Sequence, residues 1–246
     1  MKKLLILILG TVFSLSPSVA QSADSLWVNS NNEFEAGNFS EAARGYEALL
    51  EMGERNWEVH YNLGAAYFKG GELGLAILNY ERALRLDPMN EDVEYSLRVA
   101  NTHTVDRIES VPQFFLIDWL SAVRDTMRPN GWTVVLIVLI ALTLGAVVLK
   151  RVRGTSWSLT IVMGVASLLV FFFAQSSYNR VKGEDDAVVL NTAAVVRSSP
   201  SPSGNELFVL HEGTKVRLLE ENDTYSEVSI DSGSKGWILN SDIEKI

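Results

Sequence analysis

The 246-residue sequence contains no cysteine, so the chain has no disulfide, no thiol nucleophile, no thiolate metal ligand and no acylation site for a lipoprotein anchor. Histidine is scarce, and His60, His103 and His211 lie in different segments without a neighbouring ligand at metal spacing. A phosphate-binding glycine loop and a nucleophile elbow are also missing. We therefore expect no cofactor, no metal ion and no enzymatic activity.

Basic residues are few: the sequence has 21 Lys and Arg against 30 Asp and Glu, for a formal net charge of −9. Residues 21–131 hold nine basic and eighteen acidic side chains, and the residues after 174 hold seven and twelve. Binding of nucleic acid needs a basic face for the phosphates. We therefore expect no nucleic-acid partner.

Charges are missing altogether from two runs of eighteen residues, 132–149 and 157–174. Each run makes a helix of about 27 Å, near the thickness of the bilayer hydrocarbon core. Buried core helices or strands of a soluble domain are the alternative, but such a helix needs a solvated stripe that neither run offers. The sequence therefore predicts a transmembrane hairpin, with Trp132, Trp157 and Tyr178 as interfacial aromatics.

The connector between the two runs, residues 150–156, carries Lys150, Arg151 and Arg153. Short loops rich in Lys and Arg stay in the cytoplasm. The sequence therefore predicts a cytoplasmic basic loop, with both flanks of the hairpin on the opposite side of the membrane.

Residues 1–20 have the three parts of a secretory signal peptide. Lys2 and Lys3 form a positive start, residues 4–15 are mostly apolar, and small residues at 18–20 precede Gln21. Cleavage would leave a two-pass protein. An uncleaved anchor is the alternative, and it places the following residues on the same side of the membrane.

An internal repeat of 34 residues runs through the amino-terminal half. The shift aligns identical residues in five pairs: Gly37 and Gly71, Ala42 and Ala76, Tyr46 and Tyr80, Glu47 and Glu81, Leu50 and Leu84. In the second copy the signature positions of a known helix pair hold Leu63, Gly64, Tyr67, Ala76, Tyr80, Ala83 and Pro88. Residues 57–89 thus resemble a tetratricopeptide (TPR) repeat. We expect an all-α TPR domain over residues 24–104, with residues 91–101 as a capping helix.

The resemblance places function on the concave face made by the first helix of each pair. The groove positions of the family fall on Trp27, Asn31, Phe34, Tyr61, Phe68, Lys69 and Tyr95. Tyr61 and Ala65 stand where carboxylate-clamp members have Lys or Asn, so such a clamp is not implied. The aromatic surface favours an apolar or helical segment of a partner protein. The alternative is that individual aromatics pack internally.

Residues 111–128 have the pattern of an amphipathic helix. Phe115, Trp119, Leu120 and Val123 recur at helical spacing, between Pro112 and a Pro-Asn-Gly sequence at 129–131. Because this segment directly precedes a predicted span, we expect it to rest in the membrane interface. A soluble fourth helix packed on the repeats is the alternative.

The carboxyl-terminal part changes to short β-rich segments. Residues 175–186 are polar and predict a solvated linker, and residues 187–246 hold five or six short strands separated by Ser, Pro, Gly, Asn and Asp clusters. Sequences at 196–201, 211–216 and 235–238, with Tyr225 in place of a usual Trp, resemble the bacterial SH3 (SH3b) pattern. The resemblance implies a small all-β SH3-like barrel that binds cell wall or protein. Trp237 is expected in core or rim packing, with ligand contact as the alternative.

The order of signal, TPR repeats, membrane hairpin and SH3b domain resembles BatE-type proteins of the bacterial aerotolerance (Bat) operons. The resemblance implies membrane partners with von Willebrand A domains and a role in tolerance of oxidative or envelope stress. It also implies a bacterial inner membrane, with the TPR and SH3b domains in the periplasm. Our first hypothesis is a multi-domain membrane adaptor whose TPR groove docks a partner. The alternative is a peptidoglycan-binding or sensing protein acting through SH3b. A third is a transporter accessory that packs on other spans through Gly145, Gly164, Ala166 and Ser167.

Overall fold

The computed structural model describes residues 16–108, 115–127, 129–154, 157–182 and 185–246. The described helices are α1 (Ser16–Glu35), α2 (Phe39–Glu51), α3 (Trp57–Gly70), α4 (Leu73–Leu86), α5 (Glu91–Asn101), α6 (Phe115–Arg124), α7 (Pro129–Arg153) and α8 (Trp157–Lys182). The strands are β1 (Asp186–Val189), β2 (Ala193–Arg197), β3 (Glu206–His211), β4 (Lys215–Glu221), β5 (Tyr225–Ser229), β6 (Lys235–Leu239) and β7 (Ile243–Lys245). Most of the predicted signal peptide, residues 1–15, lies outside the described residues, and its expected cleavage site falls within α1.

Helices α1 to α4 form two consecutive pairs, followed by α5. Gly37 and Gly71, one repeat length apart, follow α1 and α3 with φ of 83° and 89°, a left-handed conformation that glycine adopts without a Cβ clash. Asn56 caps α3 by accepting a hydrogen bond from the Val59 N–H at 2.9 Å. The two helix pairs therefore have equivalent turns, as the 34-residue repeat in the sequence predicts.

The signature residues lie at the packed interfaces of these helices. Leu63, Ala76, Tyr80 and Ala83 are buried. A Cβ added at Gly64 would lie 2.9 Å from two ring carbons of Tyr80, so only glycine lets α3 approach α4 this closely. The spacing of small and large side chains thus sets the distance between the two helices of the pair.

Helix α6 is shorter than the predicted amphipathic segment, and residues 111–114 and 128 of that segment lie outside the described residues. Helix α6 contacts α8. The Trp132 indole N–H donates to the Arg124 carbonyl oxygen at 2.8 Å, which ties the end of α6 to the start of α7. The described part of this segment therefore lies beside the helical hairpin.

Helices α7 and α8 form that hairpin. Trp132 stacks on Phe173 with ring centroids 5.2 Å apart, and the hydroxyl oxygens of Thr143 and Ser167 are 3.3 Å apart across the pair. The three cations of the expected loop occupy the last turn of α7, before Gly154 with a φ of 68°. Because α8 continues to Lys182, much of the segment predicted as a solvated linker is helix.

The strands form one antiparallel sheet in the order β3-β2-β6-β5-β4-β1-β7. One hydrophobic cluster collects buried side chains from β1 to β6, so the sheet curves around a single core. The predicted SH3-like barrel is not confirmed, because the sheet is not closed: β3 and β7 at its two ends do not pair with each other.

Candidate functional site

Five of the seven predicted groove side chains are half-buried and have partners within the chain. Trp27 and Phe34 pack edge-on against Tyr46 and Phe39, and Phe68 packs edge-on against His103. These ring contacts position the aromatics and leave each of them only part of its surface for a partner.

Asn31 and Tyr61 are likewise held in place. The Tyr46 hydroxyl donates to Asn31 Oδ1 at 2.6 Å, and burial together with nearby Glu35 raises the pKa of Tyr46 to about 12. Tyr61 lies 5.9 Å from Tyr80 between ring centroids, and it is half-buried. By contrast, Lys69 and Tyr95 are exposed, and Tyr95 keeps 62 % of its surface accessible. These two are the groove positions most open to a partner.

The β-domain packs on the repeats through α4. Val188 and Ile246 belong to the same buried cluster as Ile77 and other residues of α4 and α5. A Cβ added at Gly74 would lie 3.2 Å from the Val189 carbonyl oxygen, so the absence of a side chain there admits the backbone of β1. The contact with β1 is made mainly by α4, the second helix of a pair, and α5 contributes side chains to the shared buried cluster.

Asp106, five residues beyond α5, forms the polar centre of this junction. Its carboxylate accepts hydrogen bonds of 2.7 Å from the His211 main-chain N–H and from the Thr214 hydroxyl, and His211 Nδ1 lies 2.7 Å from its other oxygen. Burial favours the neutral acid, but these hydrogen bonds outweigh it and lower the pKa of Asp106. The carboxylate is therefore a charged bridge between the two domains.

A second polar bridge runs from β4 to α4. Lys215 Nζ lies 2.9 Å from Glu81 and 3.3 Å from Asp186. Burial of the amine opposes its charge, but the two carboxylates prevail and raise the pKa of Lys215. Apolar contacts, Asp106 and Lys215 thus hold the repeats and the β-domain as one packed body.

The two aromatic residues singled out in the β-domain have different environments. Tyr225 is buried at the start of β5. Trp237 is half-buried on β6, where its neighbours Gly236 and Ile238 are buried, so it faces away from the sheet core. In the register of the sheet, Trp237 lies opposite Arg197 of β2. Trp237 is therefore the residue of the two that offers surface to a ligand.

Two apolar helices leave most of their surface uncovered. Asn130–Arg153 and Thr160–Asn179 are long and apolar enough to cross a membrane, and only 11 % and 6 % of their most apolar windows are buried. The core helix of a soluble protein would be mostly buried. Lys150 Nζ lies 2.7 Å above the centre of the Trp157 ring at the turn between α7 and α8.

The described residues contain no group of three or more His, Asp or Glu side chains placed to hold a metal ion.

The junction between the two domains was not predicted from the sequence. Its residues are single charged or small side chains, such as Asp106 and Gly74, and no local motif marks them. The 134-residue separation of Lys215 from Glu81 explains why periodicity did not reveal the contact.

Comparison with known families gives two matches that cover separate parts of the chain. Residues 29–91 match the tetratricopeptide repeat family, and residues 192–244 match the bacterial SH3 domain family. Comparison with curated proteins gave no match. The chain therefore contains a TPR region, which indicates protein–protein interaction, and a bacterial SH3 domain, which indicates cell-wall binding; both are typically non-catalytic.

Proposed function

We propose that the protein is a non-enzymatic adaptor of the bacterial inner membrane. Its α7–α8 hairpin spans the bilayer, and its TPR and SH3 domains lie together in the periplasm, where the TPR groove binds another protein. The observation that carries the proposal is the packing of the SH3 domain mainly against α4, because the groove residues Lys69 and Tyr95 stay exposed.

The membrane placement is supported by the exposure and charge of the hairpin. Apolar side chains such as Ile137, Leu144 and Phe172 are exposed, which is costly in water and favourable in lipid. Lys150, Arg151 and Arg153 lie in the last turn of α7, at the end of the hairpin where the positive-inside rule places cytoplasmic residues. The junction of the two domains then lies on the opposite side from this turn.

The proposed partner is a membrane protein with an exported segment. The resemblance to Bat-type proteins implies that this partner is a protein with a von Willebrand A domain. An apolar or helical segment suits a groove that combines half-buried aromatics with an exposed ring. In this role the protein assembles an envelope-stress or aerotolerance complex.

Photocross-linking in intact membranes tests the groove. A photoreactive amino acid at Tyr95 is expected to capture a discrete protein adduct, and the same group at Arg44 of α2, whose side chain is 70 % exposed, is the matched control. Tyr95→Ala should lower partner co-purification about tenfold, the effect of truncating an aromatic anchor. Equal adducts at both positions, or unchanged co-purification of Tyr95→Ala, would reject the groove.

A second candidate function is binding of peptidoglycan by the SH3 domain, favoured by the family match over residues 192–244. The outward Trp237 ring is the proposed contact. Sedimentation of the detergent-solubilised full chain with purified cell wall is expected to fall for Trp237→Ala and to stay unchanged for Leu219→Ala, an exposed apolar residue of β4. Binding that Trp237→Ala leaves intact would remove this ring from the site.

A further inference from the structure

Helix α6 carries its large apolar side chains on one face, and most of that face is exposed. Residues three and four apart share a side of a helix, so Leu116, Trp119, Leu120 and Val123 lie along one side, with Ile117 beside them. Trp119 keeps 59 % of its surface accessible, the two leucines and Ile117 are also exposed, and Val123 is half-buried. These five residues form the apolar face of α6. Exposure of such a face to water is unfavourable, so we expect it to have a partner.

The opposite side of the helix is small and polar. Ala122 and Asp125 lie there and are both exposed. Asp125 pairs with Arg124 at 2.8 Å. Over residues 115–128 two aspartates and two arginines cancel, so the segment has no net charge with which to attract an ionic partner.

Within the described part of the chain, the apolar face of α6 is not covered by the repeats or by the β-domain. A fourth helix packed on the repeats would bury Trp119, which the structure leaves exposed. Helix α6 lies instead beside α8, which itself exposes apolar side chains such as Leu168 and Phe172. The apolar face of α6 therefore adds to the exposed apolar surface of the hairpin.

The carboxyl end of α6 is joined to the hairpin where the two apolar runs begin and end. Trp132 starts the first run, Phe173 stands at the end of the second, and their rings stack. The Trp132 indole N–H also donates to the Arg124 carbonyl oxygen at 2.8 Å. In the proposed orientation this end of the hairpin is the periplasmic boundary of the bilayer, and α6 starts out from it.

Main-chain carbonyl groups at the end of α6 find donors inside the chain. The last carbonyls of a helix have no partner within it and usually bind water. Here Trp132 serves Arg124, and the Thr126 main-chain N–H and hydroxyl donate to the Val123 oxygen at 3.2 and 2.7 Å. Unsatisfied carbonyls are costly where water is scarce, so this helix end is suited to a position at the edge of lipid.

From the exposed face, the cancelled charge and the position beside the hairpin, we propose that α6 is an additional membrane contact whose apolar face inserts among the lipid acyl chains of the periplasmic leaflet. The inference rests on the spanning hairpin of the proposed function. Ala122 and Asp125 point to the headgroups, and buried apolar area rather than headgroup charge drives the contact. Trp132 is the positioning residue that holds the end of α6 at this depth.

Spin-label accessibility in lipid nanodiscs tests the inference on the full chain. Because the chain has no cysteine, single nitroxides can be attached to Ile117→Cys and Leu120→Cys on the apolar face, and to Ala122→Cys on the opposite face as the matched control. Oxygen concentrates among acyl chains, whereas a nickel chelate stays in water. The ratio of oxygen to nickel collisions is expected to be at least about threefold higher at 117 and 120 than at 122, as for a helix half-immersed in the interface.

A label at Ile137→Cys in α7 separates this inference from the proposed function. Position 137 in lipid with positions 117 and 120 in water would overturn the inference alone. Position 137 in water would overturn the spanning hairpin and the inference with it. Positions 117 and 120 shielded from both reagents would show that a protein covers the face, which also refutes the lipid contact.

The unmodified chain provides a second measurement that does not depend on the folding of any variant. A phospholipid with a photoreactive diazirine in its acyl chain is expected to form adducts within residues 116–120 as well as with α7 and α8. Adducts confined to the hairpin would contradict the lipid contact. Because the charges of α6 cancel, the yield on α6 should be equal in phosphatidylcholine discs with and without about 30 % phosphatidylglycerol. Adducts on α6 in the anionic discs alone would contradict a contact driven by apolar area.

Trp132→Phe tests the positioning role. The change keeps an aromatic ring against Phe173 but removes the N–H that serves the Arg124 carbonyl oxygen. It should lower the collision ratio at positions 117 and 120 about twofold and leave that at 137 unchanged. Trp157→Phe, at the start of α8, is the matched control and should change neither. Unchanged ratios in Trp132→Phe would show that this hydrogen bond does not hold α6 in lipid.

Discussion

Asp106 contacts His211 at two points, through the main-chain N–H and through the imidazole, each at 2.7 Å. The first residue follows the repeats and the second ends β3, so a single carboxylate joins two domains that are separated in the sequence by the whole hairpin. The side chain of Asp106 is only 15 % exposed, which limits screening by solvent.

Asp106→Asn should weaken the packing of the two domains. The pKa of Asp106 is lowered in the folded chain, so its stabilisation is fully present above the ordinary aspartate pKa of about 3.9 and is lost as pH falls through the lower folded value. We expect a loss of about 2 kcal/mol in unfolding free energy at neutral pH. The difference between the two proteins should narrow as the pH is lowered below about 4.

Calorimetric unfolding of both proteins across this pH range is the measurement. Asp231→Asn, in the exposed turn between β5 and β6, serves as the control and should unfold as the parent does. A difference that stays constant from neutral to acidic pH would mean that Asp106 does not act through its charge.

Val188 and Val189 are adjacent on β1, both fully buried, and belong to different cores. Val188 packs with the helices of the repeats and Val189 with the sheet. Val188→Ala should increase hydrogen exchange in α4 and α5, and Val189→Ala should increase it in the strands. Each change should cost about 2 kcal/mol, as expected for removing buried methyl groups.

Hydrogen exchange resolved by segment distinguishes the two variants. An identical pattern for both would show that β1 does not divide its side chains between two cores. Because Val188 and Ile246 complete the core of the repeats, we also expect removal of residues 187–246 to destabilise the TPR region, so wall binding is better measured on the whole chain than on a fragment.

Gly64→Ala should destabilise the TPR region. The new Cβ would lie 2.9 Å from the Tyr80 ring and 3.1 Å from the Ala76 carbonyl oxygen, and α3 would have to move away from α4. Overpacking of this kind costs about 1–3 kcal/mol.

Gly70 in the same helix supplies the matched control. A Cβ there would have Phe39 Cβ at 3.9 Å as its nearest neighbour. Gly70→Ala is therefore expected to be neutral or to stabilise by up to about 1 kcal/mol through helix propensity. Thermal unfolding of the two variants measures the contrast, and equal transition temperatures would argue against the close approach of α3 and α4.

The absence of cysteine permits a direct measurement of topology. Single cysteines at Tyr95, Arg151 and Asp231 introduce the only thiols in the chain. An impermeant maleimide added to spheroplasts should label positions 95 and 231, and should label position 151 only after permeabilisation. Labelling of position 151 in intact spheroplasts, or protection of the other two, would reverse the proposed orientation.

The amino-acid sequence by itself determined the local elements of this protein. A 34-residue repeat, with glycine at both turns, specified the paired helices, because side-chain period and turn chemistry act over a few residues. Short β-rich segments specified β1 to β6 in the same way, whereas the three-residue β7 exceeds the five or six strands that were predicted. The uncharged runs specified two long apolar helices, but both helices are longer than the runs. Helix α7 continues through the three cations, and α8 continues through polar residues such as Gln175, whose side-chain amide donates to Asn179 at 2.8 Å.

Only the tertiary structure decided how the domains meet. Nothing in the local pattern of Asp106, Lys215 or Val188 indicates a partner more than 100 residues away. The hydrogen bond from Arg85 to the oxygen of Ile246 arises from the same packing, since one residue lies on α4 and the other at the end of the β-domain. Hydrophobic periodicity predicts which face of a helix or strand is buried. It does not predict which other element packs on that face, because that depends on contacts between distant segments of the chain.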